Sequence, residues 1–208
     1  MNREVEVHQF YARVRVLVLD IRNFTTFSEG RVAEEVVAYL NTLWTFMVRT
    51  VNEHHGIVNK FLGDGFLAVF GAPVSTGNDC ANALAAARHI LREIDELTEA
   101  GRLLPTRIGI ALHAGEAVVG NVGSAERKEY TVIGDVVNVA FRIERLNKQL
   151  GSTFLVSRCG ASGNPRHALR RNPEFHFHPG PSGAGADLSA VLIPVRHGPA
   201  QKAGTALP

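Results

Sequence analysis

The strongest constraint on this chain is a strand that ends on a charge. Residues 14–19 read VRVLVL, mostly branched aliphatics, and lead directly to Asp20. Such a run, bounded by the turn-like DIRNFT, predicts a buried strand. An isolated carboxylate at its end is costly to bury. Asp64 repeats the anomaly within NKFLGDGFLAVFG, between Gly63 and Gly65. The two aspartates are expected to face one another across a metal site.

Periodicity supplies the surrounding elements. Residues 31–55 place Val32, Val36, Leu40, Leu43, Met47 and Val51 at helical spacing, and Gly56 stands where a helix C-terminal glycine belongs. The runs 57–62 and 66–70, separated by GDG, predict a hairpin. Asn78 or Asp79 is placed to cap a helix over 79–100, with a stripe of Leu84, Ala87, Leu91, Ile94 and Leu97 and Gly101 as its stop. TRIGIALHAGEAVVGNVG predicts a second hairpin turning near Gly115, with Glu116 and Asn121 explained as hairpin residues. YTVIGD leads into a helix over 136–149, with Val136, Val139, Ile143 and Leu146 inward and Asp135 as N-cap.

STFLVS is another strand. Residues 158–190 are heavy in Gly, Pro, Ser and Arg, with a short strand at EFHFH. A last strand is expected at 190–197, and 198–208 read as a disordered tail. The order β-α-β-β-α-β-β-α-β implies an α+β fold, with helices packed on a largely antiparallel sheet.

Composition excludes several classes of partner. A length of 208 residues favours one domain, and a net charge of +2 gives no concentrated basic face for nucleic acid. No apolar run reaches the ~18 residues of a membrane span, and the charged N-terminus is unlike a signal peptide. No direct membrane contact is expected of this chain, and a cytoplasmic setting is. Cys80 and Cys159 sit in no metal or redox spacing and read as reduced thiols.

Two carboxylates on adjacent strands can bridge two Mg²⁺ ions about 3.5–4 Å apart, the arrangement that drives in-line phosphoryl displacement. Gly63 and Gly65 let backbone and ligand approach Asp64 closely. Thr25 or Thr26 is placed to cap the next helix, whose N-terminus would seat a phosphate. Taken singly, Asp20 reads as a helix cap and Asp64 as a turn residue; only their context separates these readings.

That context is three segments in order, DIRNFTTFSE, KFLGDGFLAVFG and YTVIGDVVNVAFRIERL. Together they resemble the catalytic domain of class III nucleotidyl cyclases, over residues 14–157. The resemblance implies a ferredoxin-like (palm-type) core spanning residues 1–197, active as a head-to-tail homodimer with shared sites. It also implies conversion of a nucleoside triphosphate to a 3′,5′-cyclic monophosphate and pyrophosphate.

Residue by residue, the family's metal-binding aspartates match Asp20 and Asp64, and Ile21 would lend its carbonyl. Lys60 matches the purine-selecting lysine and Thr131 its partner at the other end of the base. Asn138 matches the ribose-orienting asparagine and Arg142 the transition-state arginine. Phe24 and Thr25, in the turn after Asp20, are expected to contact substrate. The implied cofactors are two Mg²⁺ or Mn²⁺ ions per active site; the implied partners are ATP and a second copy.

The chemistry agrees with this assignment. Asn138 and Arg142 stand at i and i+4, so one helix face presents both. Arg142 offers a fork of donors to the oxygens of a pentavalent phosphorus. The Lys60 ammonium only donates, which suits the N1 acceptor of adenine and opposes the N1 hydrogen of guanine. The Thr131 hydroxyl can donate or accept. Without the family match, Asn138 would read as a solvent-facing helix residue, Arg142 as half of a surface ion pair and Lys60 as a strand lysine reaching to water.

Two departures keep a rival reading open. The family's C-terminal phosphate-gripping lysine has no counterpart, since no lysine lies between Lys148 and Lys202. Arg166, Arg170 and Arg171 are candidates to replace it, although a solvated basic loop is the plainer reading. Residues 158–190 also look degenerate against the family's last helix and strand. The rival is a weak or inactive cyclase-like domain that binds nucleotide or signals by dimerising. A diguanylate cyclase is disfavoured by the absent Gly-Gly-Asp/Glu-Glu-Phe signature. His176 and His178 alternate on one strand but lack further ligands nearby, and no Walker loop is present.

Overall fold

The aliphatic run lies inside a longer strand, β1 (Phe10–Ile21), buried on both faces. The structure is a computed structural model and describes residues 9–124, 126–157, 174–177 and 188–192. After β1 come α1 (Phe24–Glu29), α2 (Ala33–Glu53), β2 (Gly56–Phe61), β3 (Gly65–Phe70) and α3 (Asp79–Glu99). They are followed by β4 (Ile108–Gly123), β5 (Lys128–Ile133), α4 (Asp135–Leu150), β6 (Phe154–Ser157), β7 (Glu174–Phe177) and β8 (Leu188–Leu192).

The strands form one sheet in the order β2-β3-β1-β4-β6-β8-β7, with β5 paired to the far end of β4. The stretch from β1 to β4, with α2 and α3 as crossovers, has the β-α-β-β-α-β order of a ferredoxin-like unit. The pairing of β4 with β6 is parallel; the others described are antiparallel. This is the expected α+β architecture.

Side-chain alternation divides β1 between two cores. Leu17, Leu19 and Ile21 face α2 and α3, joined by Phe66, Phe70, Ile110 and Leu112. Val14, Val16 and Val18 face α4, joined by Leu67, Val69, Val119, Val136 and Ala140. Both faces being covered explains the continuous apolar run. The same alternation sends Asp20 to the α4 side.

Several local expectations are corrected. The segment read as a hairpin turning at Gly115 is the single 16-residue strand β4. Gly115 serves packing instead, because a Cβ there would lie 3.0 Å from Val136 Cβ as β4 passes under α4. Glu116 accordingly sits in mid-strand, whereas Asn121 lies near the end of β4, opposite Tyr130 in the β4–β5 hairpin, whose turn falls between those strands. His55, not Gly56, takes the left-handed conformation after α2 (φ 61°). Gly56 begins β2 beneath the Phe70 ring, which a Cβ would meet at 2.4 Å.

Helix starts also differ from expectation. Gly134 is the N-cap of α4 and Asp135 is its first helical residue. Thr25 and Thr26 lie inside the first turn of α1, whose N-cap is Asn23 in the left-handed region (φ 58°). At α3 the Asn78 side chain makes no capping bond. The Asp79 carboxylate instead accepts from the Thr76 amide (3.0 Å) and from the hydroxyls of Ser75 and Thr76. The last expected strand appears as β8, and β7 carries His176. Cys159, Arg166, Arg170, Arg171, His178 and residues 193–208 lie outside the described residues. Among the described residues no helix is long and apolar enough to cross a membrane.

Candidate active site

Asp20 pairs with Gly65 of β3 on one side and Gly109 of β4 on the other. Cross-strand partners put their side chains beside one another on the same face. Glycine at both positions leaves the Asp20 carboxylate in a notch. Neither position has room for more: a Cβ on Gly65 would lie 2.3 Å from the Leu19 carbonyl oxygen. One on Gly109 would lie 2.4 Å from the Arg22 guanidinium carbon and 2.7 Å from Glu144 Oε1.

Asp64 is brought to the same end of β1 by its backbone. The Ile21 amide donates to the Asp64 carbonyl at 3.0 Å, and the Leu62 amide closes the β2–β3 turn on the Gly65 carbonyl at 2.8 Å. Burial pushes the Asp20 carboxyl up to about 6, helped by the nearby Glu144 and Asp64 carboxylates and opposed by Arg22 and Lys148. The fold thus gathers acidic oxygens where their charges disfavour one another.

Glu144 comes from the buried stripe of α4, and burial raises its pKa while Arg22 holds it down. One guanidinium nitrogen, Arg22 Nη1, lies 2.8 Å from Glu144 Oε1 and 3.5 Å from Asp20 Oδ2. Beside this cluster is a polar pocket of about 150 Å³. Arg22, Arg107 and Lys148 supply its cationic lining, with Asn23, Asn147, Ser152 and Thr153 adding polar groups. The α4 end of the pocket is fixed by Asn147, which donates to the Ile110 carbonyl and accepts from Ser152, both at 2.7 Å.

A second group forms where the β4–β5 hairpin meets β2. The β2 register shifts between Val58 and Lys60, and Asn59 Nδ2 donates to the Tyr130 carbonyl at 2.8 Å. Lys60 and Thr131 are the next residues along each strand, Lys60 exposed and Thr131 half-buried. On α4, Val136, Val139, Ala140 and Ile143 turn inward, and Asn138 and Arg142 are exposed. Phe24 packs against the α2/α3-side core and Thr25 is exposed in the first turn of α1.

The sequence-derived residues therefore fall into separate groups: Asp20, Ile21 and Asp64; Lys60 and Thr131; Asn138 and Arg142. Among the described residues no three His, Cys, Asp or Glu side chains form a metal cage, so the first group offers two carboxylates and backbone. Arg22, Arg107, Glu144 and Lys148 are not among the residues that the sequence pattern points to as site residues. Glu144 had a readable signal, an acidic residue on an apolar stripe, eight positions after Val136 and four after Ala140.

Comparison with known proteins places this geometry in a family. The family model described as "Adenylate and Guanylate cyclase catalytic domain" matches residues 6–157. "Adenylate cyclase 1" of Rhizobium meliloti is 41% identical over 149 residues, covering 69% of this chain and 22% of that protein. The uncharacterised protein Rv1320c of Mycobacterium tuberculosis is 44% identical over 144 residues, covering 69% of this chain and 24% of that protein. The chain thus spans about a quarter of the length of these two relatives. Among solved structures, the guanylyl cyclase Cya2 superposes with a TM-score of 0.74 at 30% identity, covering 91% of this chain and 94% of that one. The adenylyl cyclase CyaB from P. aeruginosa shares the fold with a TM-score of 0.78 at 23% identity, covering 91% and 97%. The chain belongs to the class III adenylate and guanylate cyclase catalytic-domain family.

Proposed function

We propose that this domain converts ATP to 3′,5′-cyclic AMP and pyrophosphate at sites shared between two copies of the chain. The observation that carries the reading is the junction of Asp20 with Asp64: the Ile21–Asp64 backbone bond brings Asp64 to the end of β1, and burial, with the Glu144 and Asp64 charges, pushes the Asp20 carboxyl up to about 6. Hard oxygen donors crowded in this way suit Mg²⁺ or Mn²⁺. Asp20, Asp64 and the Ile21 carbonyl would hold two such ions. Ions held there would supply the Lewis acidity that lowers the pKa of the ribose 3′-hydroxyl and offsets charge on the departing pyrophosphate.

The protein's own groups supply orientation and charge. Arg142 directs its donors at the oxygens of the α-phosphorus as the 3′-oxygen attacks in line. Asn138, one turn earlier, orients the ribose. The pocket lined by Arg22, Arg107 and Lys148 receives the terminal phosphates, a task for which the chain lacks the family's usual lysine. Thr25 and the backbone of Phe24 meet the substrate from the β1–α1 turn. Lys60 donates to adenine N1, with Thr131 at the other end of the base.

The surface of α4 supports sharing of the site. It keeps its apolar side on its own sheet and presents Asn138 and Arg142 outward, where a second copy can receive them. The name of the Rhizobium relative favours adenine and that of Cya2 guanine, so the choice of base rests here on Lys60.

The test is to incubate the purified protein with ATP or GTP and Mn²⁺ and identify the product. Cyclic AMP from ATP is expected. Preferential cyclic GMP would overturn the choice of base. Nucleotide binding without any cyclic product would leave a non-catalytic signalling domain.

A further inference from the structure

The Arg22 guanidinium is a competitor placed beside a carboxylate that is read as a cation ligand. It lies in the notch over Gly109, with its side chain 13% exposed, and its Nη1 reaches two carboxylates at unequal distances. Glu144 is the nearer at 2.8 Å, and Asp20 the farther at 3.5 Å. Asp20 keeps 37% of its side chain exposed, whereas Glu144 keeps 10%. The shorter ion pair goes to the buried Glu144, and Asp20 receives from the same nitrogen only a hydrogen bond at the long limit of 3.5 Å. We propose that Glu144 is a positioning residue that holds the Arg22 guanidinium off Asp20, so that Asp20 stays available to a divalent cation. This rests on the reading of Asp20 as a metal ligand.

The cation and Arg22 compete for Asp20. An arginine deprived of one buried carboxylate turns to the other within reach, because an unpaired buried charge is strongly unfavourable. If Glu144 loses its charge, Asp20 becomes the only carboxylate in contact with Arg22. A guanidinium fully engaged there occupies the oxygens that the cation needs. In this role Glu144 acts through Arg22, beside the direct repulsion by which its charge raises the Asp20 pKa. Its place on α4, two residues after Arg142, also ties the metal-side strand to that helix.

Mn²⁺ binding to the nucleotide-free protein, read by electron paramagnetic resonance of the free ion, tests this without recourse to activity. Glu144→Gln should weaken Mn²⁺ binding about 10-fold, the usual scale for a residue that supports a metal ligand. The double variant Arg22→Gln/Glu144→Gln removes the competitor as well and should recover binding to near the wild-type value. That reversal is the signature of competition, since two independent structural losses would add. Thermal melting shows which variants are folded, and the double variant leaves neither charge buried alone. A folded Glu144→Gln protein that binds Mn²⁺ like wild type overturns the proposal, as does a folded double variant no better than the single one. Wild type that binds no Mn²⁺ would instead overturn the reading of Asp20 and Asp64 as cation ligands.

Discussion

Asn59 and Tyr130 are joined across 71 residues of sequence by one hydrogen bond, the Asn59 amide nitrogen donating to the Tyr130 carbonyl at 2.8 Å. It ties the β2 strand to the β4–β5 hairpin and so fixes the spacing of the next residue on each, Lys60 and Thr131. Asn59→Ala removes that tie and leaves a part-buried carbonyl without its donor. The ratio of kcat/KM for ATP over GTP should fall by about 3- to 10-fold, the scale of one hydrogen bond's net contribution. Steady-state kinetics with both triphosphates checks this; an unchanged ratio would separate the bond from base selection.

Lys60 itself should matter more than its tether. Lys60→Glu presents an acceptor to guanine N1 and N2, and Thr131→Cys leaves a weak donor near O6. The double variant should lose most ATP turnover and shift its preference toward GTP by about 1–3 kcal/mol, the cost of one unsatisfied buried group. A well-folded, active double variant with the wild-type ratio would show that Lys60 does not face the base.

Site sharing predicts complementation. Asp64→Ala and Arg142→Ala proteins should each be nearly inactive. Mixed, they form heterodimers with one intact site and one doubly damaged site, and activity should reappear. If subunit exchange is shown directly and activity stays absent, the two groups do not meet across an interface.

A buried histidine sets an acid limit on stability. His113 on β4 shares a 2.7 Å hydrogen bond with Ser157 on β6, and burial pulls its pKa down to about 4, with Asp135 opposing. An unfolded histidine titrates near 6.5, so between these values the unfolded chain binds the extra proton. His113 therefore contributes stability that is complete above about 6.5 and lost as pH falls toward 4, worth about 3 kcal/mol by linkage. Asp20 runs the other way, because its raised pKa favours the folded state at low pH. The measurement is thus the difference between wild type and His113→Gln in urea unfolding at pH 7.5 and pH 4.5. The gap between them should narrow at the lower pH; a constant gap would contradict the account.

Much of this architecture is legible in the sequence because burial writes long signals. VRVLVL, the α2 and α3 stripes and the GDG hairpin each describe one dominant packing environment and appear where expected, except that Val32 is the exposed N-cap of α2 and not part of its stripe. What is not legible is what a glycine is for. Gly115 looks like a turn, yet it is a mid-strand residue making room for Val136. Gly65 reads as room for a ligand beside Asp64, yet it and Gly109 flank Asp20 where a Cβ would strike the Leu19 carbonyl oxygen at the first and the Arg22 guanidinium at the second. The Arg22–Glu144 contact is invisible for a related reason. It joins residues 122 positions apart, and only the crossing of α4 over β1 brings them together.

The central claim is that Asp20 and Asp64 jointly hold the cations used in cyclisation. Its most direct test is cyclic AMP formation from ATP and Mn²⁺ by wild type, Asp20→Asn and Asp64→Asn, with thermal melting of each. Wild type should form cyclic AMP, and each variant should lose at least about 100-fold, the scale of removing a principal transition-state electrostatic group. Asp20→Asn should melt no lower than wild type at pH 7, because it relieves a half-buried carboxylate that Glu144 and Asp64 repel. Substantial metal-dependent cyclic AMP synthesis by either folded variant would contradict the account.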